Sequence, residues 1–200
     1  MTARAVAVVA TAALAGCGGA RAQRLPAPPA VFTVMVPGPL RPAEVATGFA
    51  AGGGRVVTVQ HVLAGARSVR VGARRARVLR ALAHLDLASV AVPGLRAPAL
   101  RTARAAAGDA VTVRVLRGGR VQGLRGRVRR TITARVRSGP GAAPDVRPGL
   151  ELAVAVSRGD SGAPVLDAQR RVVGVVFAQA ADRDDVAYAV AASALSAVLR

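Results

Sequence analysis

Thr131-Ile132-Thr133-Ala134-Arg135-Val136-Arg137, together with the earlier Val111-Thr112-Val113-Arg114-Val115, decides the fold class. Apolar and polar side chains alternate with a period of two, which places one set on an inner face and the other in solvent. Arg55-Val56-Val57-Thr58-Val59 and Ser68-Val69-Arg70-Val71 carry the same β-branched pattern, and apolar strands are expected at Leu87 to Val92, Leu150 to Val156, Val172 to Phe177 and Val186 to Val190. Glycine-rich turns such as Gly118-Gly119 and Gly139-Pro140-Gly141 separate these runs. Only Ala191 to Arg200, with Leu195, Val198 and Leu199 at helical spacing, predicts a helix. Short strands at close spacing, without crossover helices, specify an all-β barrel or sandwich and exclude a βαβ sheet.

The 200 residues are 52% hydrophobic and 20% charged, which fits a folded chain of one or two small domains and excludes disordered, collagen-like and coiled-coil classes. The net charge is +19, and all 29 basic residues are arginine, with no lysine. Arginine without lysine, amid abundant Ala, Gly, Val and Pro, reads as compositional bias before it reads as a phosphate-binding surface. Nucleic acid is not the favoured partner, because aromatic residues, the stacking platforms of single-strand binders, make up 2% of the chain. Arg127, Arg129, Arg135 and Arg137 fall on the solvent positions of strands. Asp109, Asp145, Asp182, Asp184 and Asp185 lack metal-ligand spacing, so neither a metal nor a cofactor is expected.

The N-terminus has its own logic. A short basic start, Met1 to Arg4, precedes an apolar stretch, Ala5 to Ala13, and then Leu14-Ala15-Gly16-Cys17. This is the layout of a secretory signal peptide over residues 1–16. Its uncharged run is too short to span a bilayer as a helix. Leu-Ala-Gly-Cys resembles the bacterial lipobox, which implies lipidation at Cys17 and an extracytoplasmic, membrane-anchored lipoprotein of the cell envelope. Cys17 is the one cysteine in the chain, so the fold stands without an intrachain disulfide. Residues 17–30, with Pro26, Pro28 and Pro29, read as a tether, and residues 31–200 as the folded part.

Three separated segments of that folded part bear chemistry. Gly48 to Val62 reads as a glycine-rich turn feeding a strand that ends at His61. Leu85-Asp86-Leu87-Ala88 places an aspartate directly before an apolar strand. Arg158-Gly159-Asp160-Ser161-Gly162-Ala163-Pro164-Val165 is a tight serine loop flanked by glycines. A serine hydroxyl needs a base with a pKa near neutrality, the base needs a carboxylate to hold its tautomer, and the growing oxyanion needs preorganised backbone donors. These residue types supply each part. His84, the other histidine, is expected at the surface or in a structural role; on a strand it would share a face with Asp86.

The order His61, Asp86, Ser161, with Gly159-Asp160-Ser161-Gly162, resembles the chymotrypsin-like (trypsin-fold) serine proteases, and more narrowly their bacterial HtrA-like and MarP-like branch. Gly48-Phe49, Thr58 three residues before His61, Asp86-Leu87-Ala88, Val173 to Ala178 and Tyr188-Ala189-Val190 add to the likeness, which covers about residues 45–199. The resemblance implies two six-stranded antiparallel β-barrels, over about 31–105 and 106–200, with a C-terminal helix. It implies His61 as general base, Asp86 as its orienter, Ser161 as nucleophile, and the Gly159 and Ser161 N–H groups as oxyanion hole. Asp160 would prop the serine loop, and Ala155, Val156, Phe177, Ala178 and Gln179 would wall a substrate pocket without an acidic base. The implied activity is a lipid-anchored, secreted serine endopeptidase acting on peptide or protein substrates through an acyl-enzyme. Two positions depart from the family pattern: Ala163 stands where a second glycine is usual, and Val59-Gln60 where small residues are. The alternative is a catalytically inactive trypsin-fold lipoprotein that binds a peptide or a cell-wall component.

Overall fold

The computed structural model describes residues 27–37, 43–137 and 143–200. The signal peptide, Cys17, most of the tether and the Gly139-Pro140-Gly141 turn lie outside the described residues. Among the described residues, twelve strands form two closed barrels of six. The first comprises β1 (Val31–Val36), β2 (Glu44–Gly52), β3 (Arg55–Thr58), β4 (Val69–Val71), β5 (Arg74–Leu82) and β6 (Leu87–Ala91), in the order β1-β2-β3-β6-β5-β4. The second comprises β7 (Ala110–Arg117), β8 (Arg120–Val136), β9 (Asp145–Ala153), β10 (Pro164–Leu166), β11 (Val172–Gln179) and β12 (Val186–Ala191), in the order β10-β11-β12-β9-β8-β7. All neighbouring strands are antiparallel, and closure removes the free edges that would otherwise invite association.

Alternation works as expected in the second barrel. Val111, Val113 and Val115 are buried, and Arg127, Arg129, Arg135 and Arg137 are exposed. Gly48 corrects the sequence reading: it is not turn material but the middle of β2, paired with Phe32. Its glycine identity reflects packing, since a Cβ there would stand 2.7 Å from Val34 Cγ2 and 2.8 Å from Val56 Cγ1. The turn itself falls later, at Gly53-Gly54. The tether is tied down at its end, where Ala30 C=O accepts the Ala50 N–H at 2.8 Å.

The expected helix over 191–200 is shorter than its spacing suggested. Ala191 pairs with Gly174 in the sheet, Ala192–Ala194 forms a 3-10 turn, and only α1 (Ser196–Leu199) is α-helical. Leu195 and Val198 are buried in an apolar cluster that draws on both barrels, with Val31, Phe49, Val57 and Leu87 from the first and Val172, Val175 and Val190 from the second. Arg55 on β3 donates from Nη1 to the Leu199 carbonyl. The C-terminal segment thus bridges the barrels and fixes the groove between them. Among the described residues no helix is long and apolar enough to cross a membrane.

Candidate active site

His61 begins a 3-10 turn (His61–Leu63) after β3, and nothing in its own segment caps that turn. Asp86 does so from the turn before β6, the strand paired with β3. Its carbonyl accepts the Gln60 N–H at 3.2 Å, and its Oδ1 accepts the His61 N–H at 2.9 Å, satisfying two donors that a short helical turn leaves unpaired. The same carboxylate meets the ring: His61 Nδ1 lies 2.9 Å from Oδ2 and 3.1 Å from Oδ1. A carboxylate can only accept, so Nδ1 carries the proton and Nε2 keeps its lone pair. Asp86 reaches this position from a left-handed backbone conformation, φ 54° and ψ 38°, which aspartate tolerates better than most residues. It ends a 3-10 turn, Ala83–Leu85, so His84 lies on that turn, exposed, and not on a strand sharing a face with Asp86.

The hydrogen bond that the ring donates to Asp86 raises the His61 pKa above the usual imidazole value, against the lowering effect of partial burial. Asp86 and Glu44 add Coulombic support, and Arg147 opposes it.

The serine loop hangs between β9 and β10. Asp160 N–H donates to Ser157 C=O at 3.0 Å, closing a turn in which Gly159 takes φ +91°. Asp160 is 1% exposed, accepts the Ser157 N–H at 2.8 Å and pairs with Arg117, which donates through Nε and Nη2. The N–H groups of Gly159 and Ser161 donate to no described residue. Two backbone donors at a serine that no described residue engages are what an oxyanion hole requires. Ala163 brings no strain: its φ is not positive, and its methyl is fully buried in the second core.

A pair of threonines that sequence reasoning did not assign to the site holds this loop against the first barrel. Thr47 donates its N–H to Ser161 C=O and its hydroxyl to Gly159 C=O, both at 2.8 Å, and Thr58 donates its hydroxyl to Thr47 C=O at 2.8 Å. Gly162 lies so close beneath them that a Cβ would stand 1.9 Å from the Thr47 carbonyl oxygen. The spacing of Thr58 from His61 was a visible signal, whereas Thr47 had none.

His61, Ser161 and Gly159 line one open cavity of about 550 Å³, with Glu44, Val45 and Arg158 at its rim. No hydrogen bond joins Ser161 to His61 in this state, as is common in unliganded sites. Ala155, Val156, Phe177, Ala178 and Gln179 do not line that cavity. Val156 is buried in the second core, and Gln179 donates to Asp184 at 3.3 Å. Phe177 is a packing residue, 6.4 Å from the Tyr188 ring and 5.2 Å below the guanidinium of Arg147. Among the described residues no cluster of His, Cys, Asp and Glu could hold a metal ion.

The profile of the trypsin-like peptidase domain family matches residues 46–175. The chain is 33% identical over 164 residues to the serine protease Rv3671c of Mycobacterium tuberculosis, a match covering 76% of this chain and 41% of that protein, so the chain spans about two-fifths of its length. The crystal structure of the active form of the Rv3671c protease superposes with a TM-score of 0.77 at 29% identity, covering 86% of this chain and 79% of that one. The HtrA-type protease AlgW with a tripeptide, at 20% identity, shares the fold with a TM-score of 0.72, over 86% of this chain and 60% of its own.

Proposed function

Because the chain belongs to the trypsin-like peptidase family, we propose that it is a lipid-anchored, extracytoplasmic serine endopeptidase that works through Ser161, His61 and Asp86. The observation that carries this reading is the convergence on one cavity of a serine, two backbone donors that no described residue engages, and an imidazole bonded to a buried carboxylate. A peptide lying across the groove presents its carbonyl carbon to Ser161 Oγ, and His61 Nε2 takes the hydroxyl proton as the bond forms. The Gly159 and Ser161 N–H groups stabilise the oxyanion, and Asp86 stabilises the imidazolium. His61 then protonates the departing amine, leaving an acyl-enzyme. Water activated by the same imidazole hydrolyses that ester and frees Ser161.

The anchoring half of the proposal rests on Leu14-Ala15-Gly16-Cys17. A fluorophosphonate probe tests the catalytic half: it should label the folded protein at Ser161, and Ser161→Ala and His61→Ala should abolish labelling. A folded protein that resists the probe would favour the inactive, peptide-binding alternative. For the anchor, detergent partitioning should move from the detergent to the aqueous phase in Cys17→Ser.

A further inference from the structure

Arg147 sits where a strand pattern would not place it. On β9 the order Val146-Arg147-Pro148 is inverted with respect to the barrel: Val146 is 52% exposed and Arg147 3%. Burying a guanidinium is costly unless it is paired and hydrogen-bonded. Here it donates no hydrogen bond to a described residue, and its Nε is buried without a partner. Two features hold it: the Phe177 ring, 5.2 Å from the guanidinium carbon, and Asp86, whose Oδ2 lies 3.6 Å from Nη1. The oxygen facing Arg147 is the one 2.9 Å from the His61 ring nitrogen.

We propose that Arg147 is a positioning residue of the His61–Asp86 pair: a second, non-reacting cation that reaches over from the other barrel, shares the charge of Asp86 with the imidazole, and thereby sets the pH at which His61 is free to act as base. The inference deepens the catalytic reading above and rests on it. Its physical basis is the separation. At 3.6 Å the guanidinium is too far to draw the carboxylate off the ring through a directional bond, yet near enough in a low-dielectric setting to weaken the field the imidazolium feels. The other charges facing His61 are Asp86 itself from the turn before β6, Glu44 from the start of β2, and Arg158 on the serine loop, which lines the same cavity. Of these, Asp86 and Glu44 favour the protonated ring, and Arg147 opposes it. A buried arginine kept only for packing would have no reason to meet the one carboxylate bonded to the base.

The test uses two variants and two readouts. Arg147→Met removes the charge while preserving stacking bulk, and Arg147→Lys restores a cation. In Arg147→Met the acid limb of the pH profile of kcat/KM should move up by roughly half a pH unit, about a threefold loss of free base on that limb, with Arg147→Lys close to the parent. The second readout needs no turnover. The chain has only two histidines, so NMR titration of the Ser161→Ala protein should show the His61 ring shifting upward in Arg147→Met while exposed His84 stays fixed as an internal control. An unmoved His61 titration in folded Arg147→Met overturns the proposal, as does an equal shift in Arg147→Lys. If the parent protein fails to react with the probe, the catalytic reading falls, and the titration still decides whether Arg147 acts on the ring.

Discussion

Asp86 and Asp160 are both buried carboxylates beside an arginine, and the protein uses them in opposite ways. Asp160 is bonded directly by its arginine, with Arg117 donating through two nitrogens and the Ser157 N–H through a third contact. Its charge holds a loop shape. Asp86 gives its oxygens to the backbone and ring of His61 and keeps its arginine at 3.6 Å, without a hydrogen bond. Its charge remains available to respond when the ring gains a proton. The same ion pair chemistry thus becomes a clamp when the arginine bonds the carboxylate directly, and an electrostatic setting when it is held off.

The contrast can be broken by paired substitutions. Asp86→Asn should lower kcat by about 10⁴-fold with the fold intact, because the amide cannot hold the required tautomer or support the imidazolium. Asp160→Asn still accepts the Ser157 N–H and leaves Arg117, one-third exposed, to be solvated, so it should cost only about 1 to 2 kcal/mol in a denaturant melt and less than tenfold in kcat. Equal damage from the two would dissolve the distinction. Between these extremes lies Gly162→Ala, whose Cβ has no room beneath the Thr47 carbonyl and whose φ of +86° disfavours it. A loss of roughly 3 kcal/mol is expected by thermal or denaturant unfolding.

Thr47→Val removes the hydroxyl that holds the Gly159 carbonyl but keeps the backbone bond to Ser161. The expected result is about 1 kcal/mol of lost stability and about tenfold in kcat with KM little changed. Unaltered kcat would mean that the oxyanion donors need no support from the first barrel. The smallest effect concerns pH and stability. The folded His61 pKa lies above its unfolded value, so its pairing with Asp86 contributes fully below about pH 6.5 and fades as pH rises through the folded value. The Tm advantage over His61→Gln should therefore be greater near pH 5.5 than near pH 9, on the order of a few degrees at most.

Much of this was visible before any coordinates. The barrel strands announced themselves through valine alternation, and the serine loop through its glycines. Strand β5, Arg74–Leu82, was not singled out, because its arginine-rich, mostly exposed run hides a period of two. Arg147 and Arg117 were not foreseen: with 29 arginines, nothing local distinguishes those that find a buried carboxylate. Nor could the sequence show that the Phe177 ring lies 5.2 Å from the guanidinium carbon of Arg147, which arrives from a strand some thirty residues earlier. Distance along the chain, more than ambiguity of residue type, set the limit of what could be read.

The bond from Arg55 to the carbonyl of Leu199 carries one more implication. Residues 195–199 are made after every reactive group, yet they seal the seam between the halves. A chain lacking them keeps its serine, histidine and aspartate but loses the Leu195 and Val198 packing that joins the two barrels.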